Sequence, residues 1–193
     1  AQLIVIKQVV NDNGGTAVAS DFLMMINGLN VPNTANPFPG AEAPGVNKIV
    51  DPGTYNLTET GPSGYAASFS ADCSGSIAVG QTKSCTVTND DIQPQLIVIK
   101  HVENNSGGTA VASEWTMNVT GTSPSPASFP GAESPGTTVL LNAGSYNVTE
   151  AGPTGYDPTP SAECSGSIAV GETKTCTLTK DDQPAQLIVI KQV

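Results

Sequence analysis

Short runs in which apolar and polar residues alternate recur along the chain, cut by clusters of Gly, Pro and Asn. A period of two is the signature of strands with one face on a core and the other in water. In Tyr55-Asn56-Leu57-Thr58-Glu59 the row Tyr55, Leu57, Glu59 points inward, and Asn56 and Thr58 point outward. In Cys85-Thr86-Val87-Thr88-Asn89 the inward row is Cys85, Val87, Asn89. Leu3-Ile4-Val5-Ile6-Lys7 is apolar on both rows, which predicts a strand covered on both sides with Lys7 closing the core row. A lysine, a glutamate and an asparagine thus each end an inward row. The pattern predicts strands over residues 2–10, 17–27, 46–50, 54–60, 65–72, 76–79 and 83–89. Asn13-Gly14-Gly15, Asp51-Pro52-Gly53 and Gly61-Pro62-Ser63-Gly64 read as turns, where glycine supplies positive φ and proline presets the bend. No segment carries a helical period. The expected class is all-β, a sandwich of about seven strands.

The pattern then repeats. QLIVIK begins at Gln2, Gln95 and Gln186, at separations of 93 and then 91 residues. The cysteine pairs keep a separation of 91, so the two-residue difference lies upstream of them, in the Pro/Asn-rich loop 29–37. The expected organisation is a first sandwich over 1–93, a second over 94–184, and a segment 185–193 that matches 1–9 without a change. That last segment reads either as the first strand of a third repeat or as a strand donated to a neighbour by β-addition. The connectors 90–94 and 181–184 are short, which favours a rod over a loose chain.

Charge narrows the functions. Seventeen acids face seven lysines, with no arginine, for a net charge of −10. A nucleic-acid backbone needs clustered Lys and Arg, as does an anionic membrane surface, so neither is an expected partner. No apolar run reaches the length of a membrane-spanning helix. Neither end reads as a signal peptide, so any export signal or anchor is expected outside these residues. His101 is the only histidine, with Gln8 at the matching place, and there is no phosphate loop. No enzyme and no cofactor are expected.

The four cysteines fall two per repeat at the same places, which suggests a Cys73–Cys85 bond and a Cys164–Cys176 bond rather than zinc sites, and hence an oxidising compartment. The Asn/Gly stretches 11–15 and 103–108 and the pairs Asp90-Asp91 and Asp181-Asp182 are loosely calcium-loop-like. Asn/Gly runs read more simply as turns and paired aspartates as solvated, so no metal is expected. Asn-x-Ser/Thr sequons at Asn56, Asn104, Asn118 and Asn147 are candidate N-glycosylation sites, the first and last at equivalent outward positions.

Tyr-Asn-Leu-Thr-Glu followed by Gly61-Pro62-Ser63-Gly64-Tyr65, with a lysine in the first strand and Thr-Val-Thr-Asn in the last, resembles the SpaA-like, collagen-adhesin B-type prealbumin-fold repeats of microbial surface proteins. The resemblance covers both copies and implies tandem prealbumin-like (Ig-like) β-sandwich domains. It also implies an intramolecular isopeptide bond from Lys7 to Asn89, with Glu59 relaying protons; the reading from the residues alone is a Lys7–Glu59 ion pair at a sheet edge. The second copy keeps Lys100 and Glu150 but has Lys180 where Asn89 stood, and a lysine cannot be the electrophile. The cysteine pair is foreign to the usual family pattern.

The expected function is a structural repeat of an extracellular or cell-surface microbial fibre, pilus-like filament or stalk, whose partners are neighbouring repeats or subunits. The alternative is an adhesin-type module that binds carbohydrate or host protein through the Pro-rich loops 28–40 and 121–131.

Overall fold

The computed structural model describes residues 1–32 and 34–192. The chain divides into two units, Ala1–Ile92 and Gln93–Val193.

In the first unit β1 (Gln2–Val10), β4 (Val46–Ile49), β6 (Tyr65–Phe69) and β8 (Thr82–Asp91) form one sheet in the order β4-β1-β8-β6. The facing sheet is β3-β2-β5-β7, from β2 (Leu23–Asn27), β3 (Phe38–Pro39), β5 (Gly53–Thr60) and β7 (Ser74–Ile77). The inward rows Leu3/Val5, Met24/Ile26, Tyr55/Leu57 and Cys85/Val87 make the core, joined by Phe22 and Phe38. Outward positions of the same strands stay in water, as strand alternation requires.

β1 is central in its sheet. It pairs antiparallel with β4 and parallel with β8, the latter through nine residue pairs from Gln2↔Thr82 to Val10↔Asp90. Only one of its rows is fully covered: Leu3, Val5 and Lys7 are buried, whereas Ile4 and Ile6 on the other face are half-covered.

The strand expected over 17–27 is broken. Ala19–Asp21 form a 3-10 turn, fixed by the Val18 N–H donating to Asp21 Oδ2 at 2.8 Å, before β2 begins. Likewise the strand expected to reach residue 72 stops at Phe69 and a second 3-10 turn, Ala71–Cys73, follows. β3 is a two-residue strand that alternation does not mark.

The second unit repeats this order with β9 (Gln95–Glu103), β10 (Thr116–Ser125), β11 (Ser128–Pro130), β12 (Thr137–Ala151), β13 (Tyr156–Pro160), β14 (Ser165–Ile168) and β15 (Thr173–Asp182). β12 fuses the counterparts of β4 and β5 into one strand. Ala143 stands where the first unit has Pro52, and proline, having no N–H, interrupts a strand there.

The two-residue length difference falls between Gly28 and Phe38, whose counterparts are Gly121 and Phe129. In the longer loop the Asn36 side chain does the work of a strand partner, accepting from the Ile26 N–H at 3.0 Å and donating to the Ile26 carbonyl at 2.8 Å. In the shorter one β10 simply runs on against β12, so much of the expected Pro-rich loop 121–131 is paired strand.

Candidate functional site

Lys7 ends the inward row of β1 and is fully buried. Its Nζ donates to Asn89 Oδ1 at 2.6 Å and to the Gln8 carbonyl at 2.9 Å, and lies 3.8 Å from Glu59 Oε2. Parallel pairing sets Val9 beside Asn89, so Lys7 and Asn89 come from adjacent strands of one sheet. Glu59 reaches in from β5 of the facing sheet, and its Oε2 is buried without a hydrogen-bond partner.

The Phe22 ring lies 4.3 Å from the ammonium, braced edge-on by Tyr65 at 5.6 Å. Gly40 closes the other side, where a Cβ would meet Lys7 Cβ and Cγ at 2.9 Å, so only glycine lets the loop lie on the lysine stem. Burial pushes the Lys7 pKa down, opposed by the charges of Glu59 and Glu42. The three residues singled out in the sequence therefore converge on one dry cluster. Lys7 sits in the sheet interior rather than at an edge, because β8 pairs on the far side of β1.

The second unit builds the same cavity with different chemistry. Lys100 Nζ lies 3.3 Å from Glu150 Oε2, beside the Trp115 ring at 4.7 Å, and donates to the Leu178 carbonyl at 3.0 Å. Lys180, in Asn89's place, lies 3.6 Å from Glu150 Oε1. One carboxylate is thus shared by two ammonium groups. Burial lowers the Lys100 pKa, Glu150 opposes this, and Lys180 adds to it.

Cys73 bonds Cys85 and Cys164 bonds Cys176, each pair 12 residues apart and buried. A loop of that length contributes on the order of 3 kcal/mol by constraining the unfolded chain. Each bond ties the 3-10 turn that follows β6 or β13 to the last strand of its unit.

A further polar site joins two stretches that the sequence reads as a turn and a solvated aspartate pair. Asp91 is buried at the end of β8, and its carboxylate accepts from the backbone N–H groups of Asp12, Asn13 and Gly15. Burial alone would raise its pKa, but these donors hold it below the usual aspartate value. Asp182 does the same for Asn105, Ser106 and Gly108. Of each Asp pair, the second member is thus a loop brace and not a solvated charge. The recurring signal was the Asn-x-x-(x)-Gly loop preceding both positions. Asp12, Asp90 and Asp91 bring carboxylate oxygens within 4.8 Å of one another, but Asn105 replaces Asp12 in the second unit and donates to Asp181 instead.

The sequons separate by environment. Asn56 and Asn147 are exposed on the outward rows of β5 and β12, Asn118 is half-covered on β10, and Asn104 is tied into a loop, donating to the Ala110 carbonyl at 3.0 Å.

Both units are therefore two-layer all-β domains whose first and last strands lie side by side and are joined at a buried polar cluster. The chain belongs to the SpaA_2 family of prealbumin-like fold domains, whose model matches residues 1–92 and again 90–181. No curated protein matches the chain. Among solved structures it is similar to the Bacillus anthracis TIE protein, at 17% identity and a TM-score of 0.51, over 94% of this chain and 34% of that one. It thus spans about a third of that protein's length. It also aligns with a C-terminal fragment of the pilus adhesin SpaC from Lactobacillus rhamnosus GG (16% identity, TM-score 0.43, 98% of this chain and 100% of that one). A third match is the major pilin T-13 from Streptococcus pyogenes (11%, 0.39, 94% and 97%). At 17% identity the likeness to the first of these is one of fold. No helix among the described residues is long and apolar enough to cross a membrane.

Proposed function

We propose that the chain is a load-bearing structural repeat of an extracellular microbial filament, pilus-like fibre or surface stalk. The carrying observation is the parallel pairing of the first and last strands in each unit, nine residue pairs for β1 with β8 and nine for β9 with β15. The chain enters a unit at the start of β1 and leaves at the end of β8. Tension along the chain therefore pulls these two neighbours in opposite directions and loads their hydrogen bonds together in shear, where they must break as a set. Only Ile92, Gln93 and Pro94 separate β8 from β9, so load passes from one unit to the next with little slack.

In the first unit the clamp is made covalent. Neutral Lys7 Nζ attacks Asn89 Cγ, the Cγ–Nδ2 bond breaks, and Nδ2 leaves as ammonia. The Glu59 carboxyl carries the proton from the attacking nitrogen to the departing one. Burial favours the neutral amine, and the short Nζ–Oδ1 contact supplies the approach.

Force spectroscopy on the full chain tests the reading. The second unit is expected to unfold at high force with its Cys164–Cys176 loop held back, and the first to give no extension between Lys7 and Asn89. Unfolding of both units at forces typical of unclamped domains would overturn the load-bearing role, whereas extension of the first unit at high force would remove only the covalent bond.

A further inference from the structure

The sheet made by β2, β5 and β7 presents an outward face without one charged side chain: its exposed positions hold Thr, Asn, Ser, Leu and Met. The equivalent face of the second unit, on β10, the second half of β12 and β14, is likewise filled by Thr, Asn and Ser at its outward positions. Both faces are thus uncharged on a chain whose net charge is −10. Leu23 and Met25 stand 42% and 40% exposed on the first of them.

At the centre of each face lies a sequon in the same place. Asn56 faces outward with Thr58, and Asn147 with Thr149, because residues two apart on a strand share a side. Among the described residues neither Asn side-chain amide is engaged in a hydrogen bond with the protein, so each Nδ2 is open to reaction. Each also borders a groove between the sheet and the 3-10 turn beside it. The floor is Phe69, Ser70 and Ala71 beside Asn56, and Pro160, Ser161 and Ala162 beside Asn147. Phe69 is 45% exposed there, and an aromatic or proline ring next to hydroxyls suits the apolar face and polar rim of a pyranose.

Asn104 is the contrast. Its Nδ2 donates to the Ala110 carbonyl at 3.0 Å and its Oδ1 accepts from Tyr156 Oη at 2.8 Å. Asn11 makes the same two bonds in the first unit without forming a sequon, so this position is asparagine for the loop's sake.

We infer that Asn56 and Asn147 are N-glycosylated, with the first sugar of each glycan lying in its groove, and that Asn104 is not. The inference rests on the extracellular placement in the reading above and extends it to a sugar-covered face. Chemically, the amide nitrogen attacks the anomeric carbon of a diphosphate-activated glycosyl donor in a transferase. An N–C bond forms, the anomeric C–O bond breaks, diphosphate leaves, and the amide proton passes to the transferase base.

The test is peptide mapping of the protein isolated from its native source, before and after enzymatic release of N-glycans in isotopically heavy water. Conversion of Asn56 and Asn147 to heavy-labelled aspartate, with Asn104 left unlabelled, is the expected result. In the full chain produced in the native host, Asn56→Gln and Thr58→Ala are each expected to remove one glycan's mass, as are Asn147→Gln and Thr149→Ala, and Asn104→Gln none. Unmodified Asn56 and Asn147 in native material whose cysteines are oxidised would overturn the inference and leave the structural role standing. Modification at Asn104 would overturn it as well.

Discussion

Lys7 on the first strand of its unit and Asn89 on the last hold their side chains 2.6 Å apart in a site sealed from water, although 82 residues separate them in the chain. Such contacts are a costly use of a buried lysine, because its ammonium gives up hydration for the Asn89 amide oxygen, the Gln8 and Val87 carbonyls and an offset carboxylate. As an amide the same pair carries no charge to desolvate. The reduced, intact protein is therefore expected to weigh one ammonia less than its sequence. Asn89→Ala and Glu59→Gln should each restore the full mass, the second without removing either bonding partner. Full sequence mass in the native chain would exclude the bond.

Lys180 occupies the place of Asn89 in an otherwise retained cavity, with Lys100 and Glu150 3.3 Å apart. If the three side chains and their burial suffice, Lys180→Asn should install an amide bond between Lys100 Nζ and the introduced carboxamide carbon. It would be read as loss of a further ammonia and as a large rise in the unfolding temperature of the second unit. The rise would come from closing a long loop, on the order of 4–5 kcal/mol in the chain-entropy model. A folded variant of unchanged mass would mean that the cavity has diverged beyond the one residue.

Much of this arrangement can be read along the chain. Inward rows ending in Lys7, Glu59 and Asn89 follow from strand alternation alone, and the tandem period follows from the recurrence of QLIVIK and of the cysteine pairs. What resists such reading depends on partners distant in sequence. The Ala19–Asp21 turn interrupts an apolar run because Asp21 captures a backbone N–H, and β3 exists only because β2 is there to pair with it. Asp91 looks like half of a solvated pair until the loop at residues 12–15 closes over it. Pro52 against Ala143 separates a broken strand from a continuous one, a difference visible in the sequence but weightless until the strand on both sides is known.

The second unit should show a pH signature that the covalent first unit lacks. Burial depresses the Lys100 pKa below 10.5, with Glu150 on β12 opposing and Lys180 on β15 reinforcing the shift; Glu133 is the other charge facing it. Between the depressed value and 10.5 the unfolded chain holds a proton that the folded unit has released, so stability rises with pH across that window. Trp115 is the only tryptophan and is buried against Lys100, so its fluorescence reports this unit alone. Denaturation followed at Trp115 should require more denaturant as pH climbs from neutral toward 10.5, the reference lysine value. Lys100→Met leaves Glu150 paired with Lys180 and should flatten that rise. An unchanged slope in the variant would assign the effect to other groups.

The segment carrying Leu187, Ile188, Val189 and Ile190 is 81–88% exposed, yet its sequence is that of β1, where the matching Leu3 and Val5 are essentially inaccessible. Full burial of such a side chain is worth about 1.5–3 kcal/mol, and a strand in the setting of β1 would bury Leu187 and Val189 fully and cover Ile188 and Ile190 in part. The fitting partner is a slot between strands like β4 and β8. In the first unit that slot is already filled by its own β1, so the segment can enter it only where β1 is missing. Deleting residues 1–9 creates that situation within one chain: an empty slot at one place and the identical strand at another. The interface is head-to-tail, so it propagates from chain to chain unless the rotation closes a ring. The deletion variant is expected to polymerise into regular beaded filaments in electron micrographs, and added peptide AQLIVIKQV to cap the slot and shorten them. Removing residues 185–193 as well should abolish assembly. Irregular aggregation that persists without residues 185–193 would show that the exposed slot, and not strand insertion, drives association.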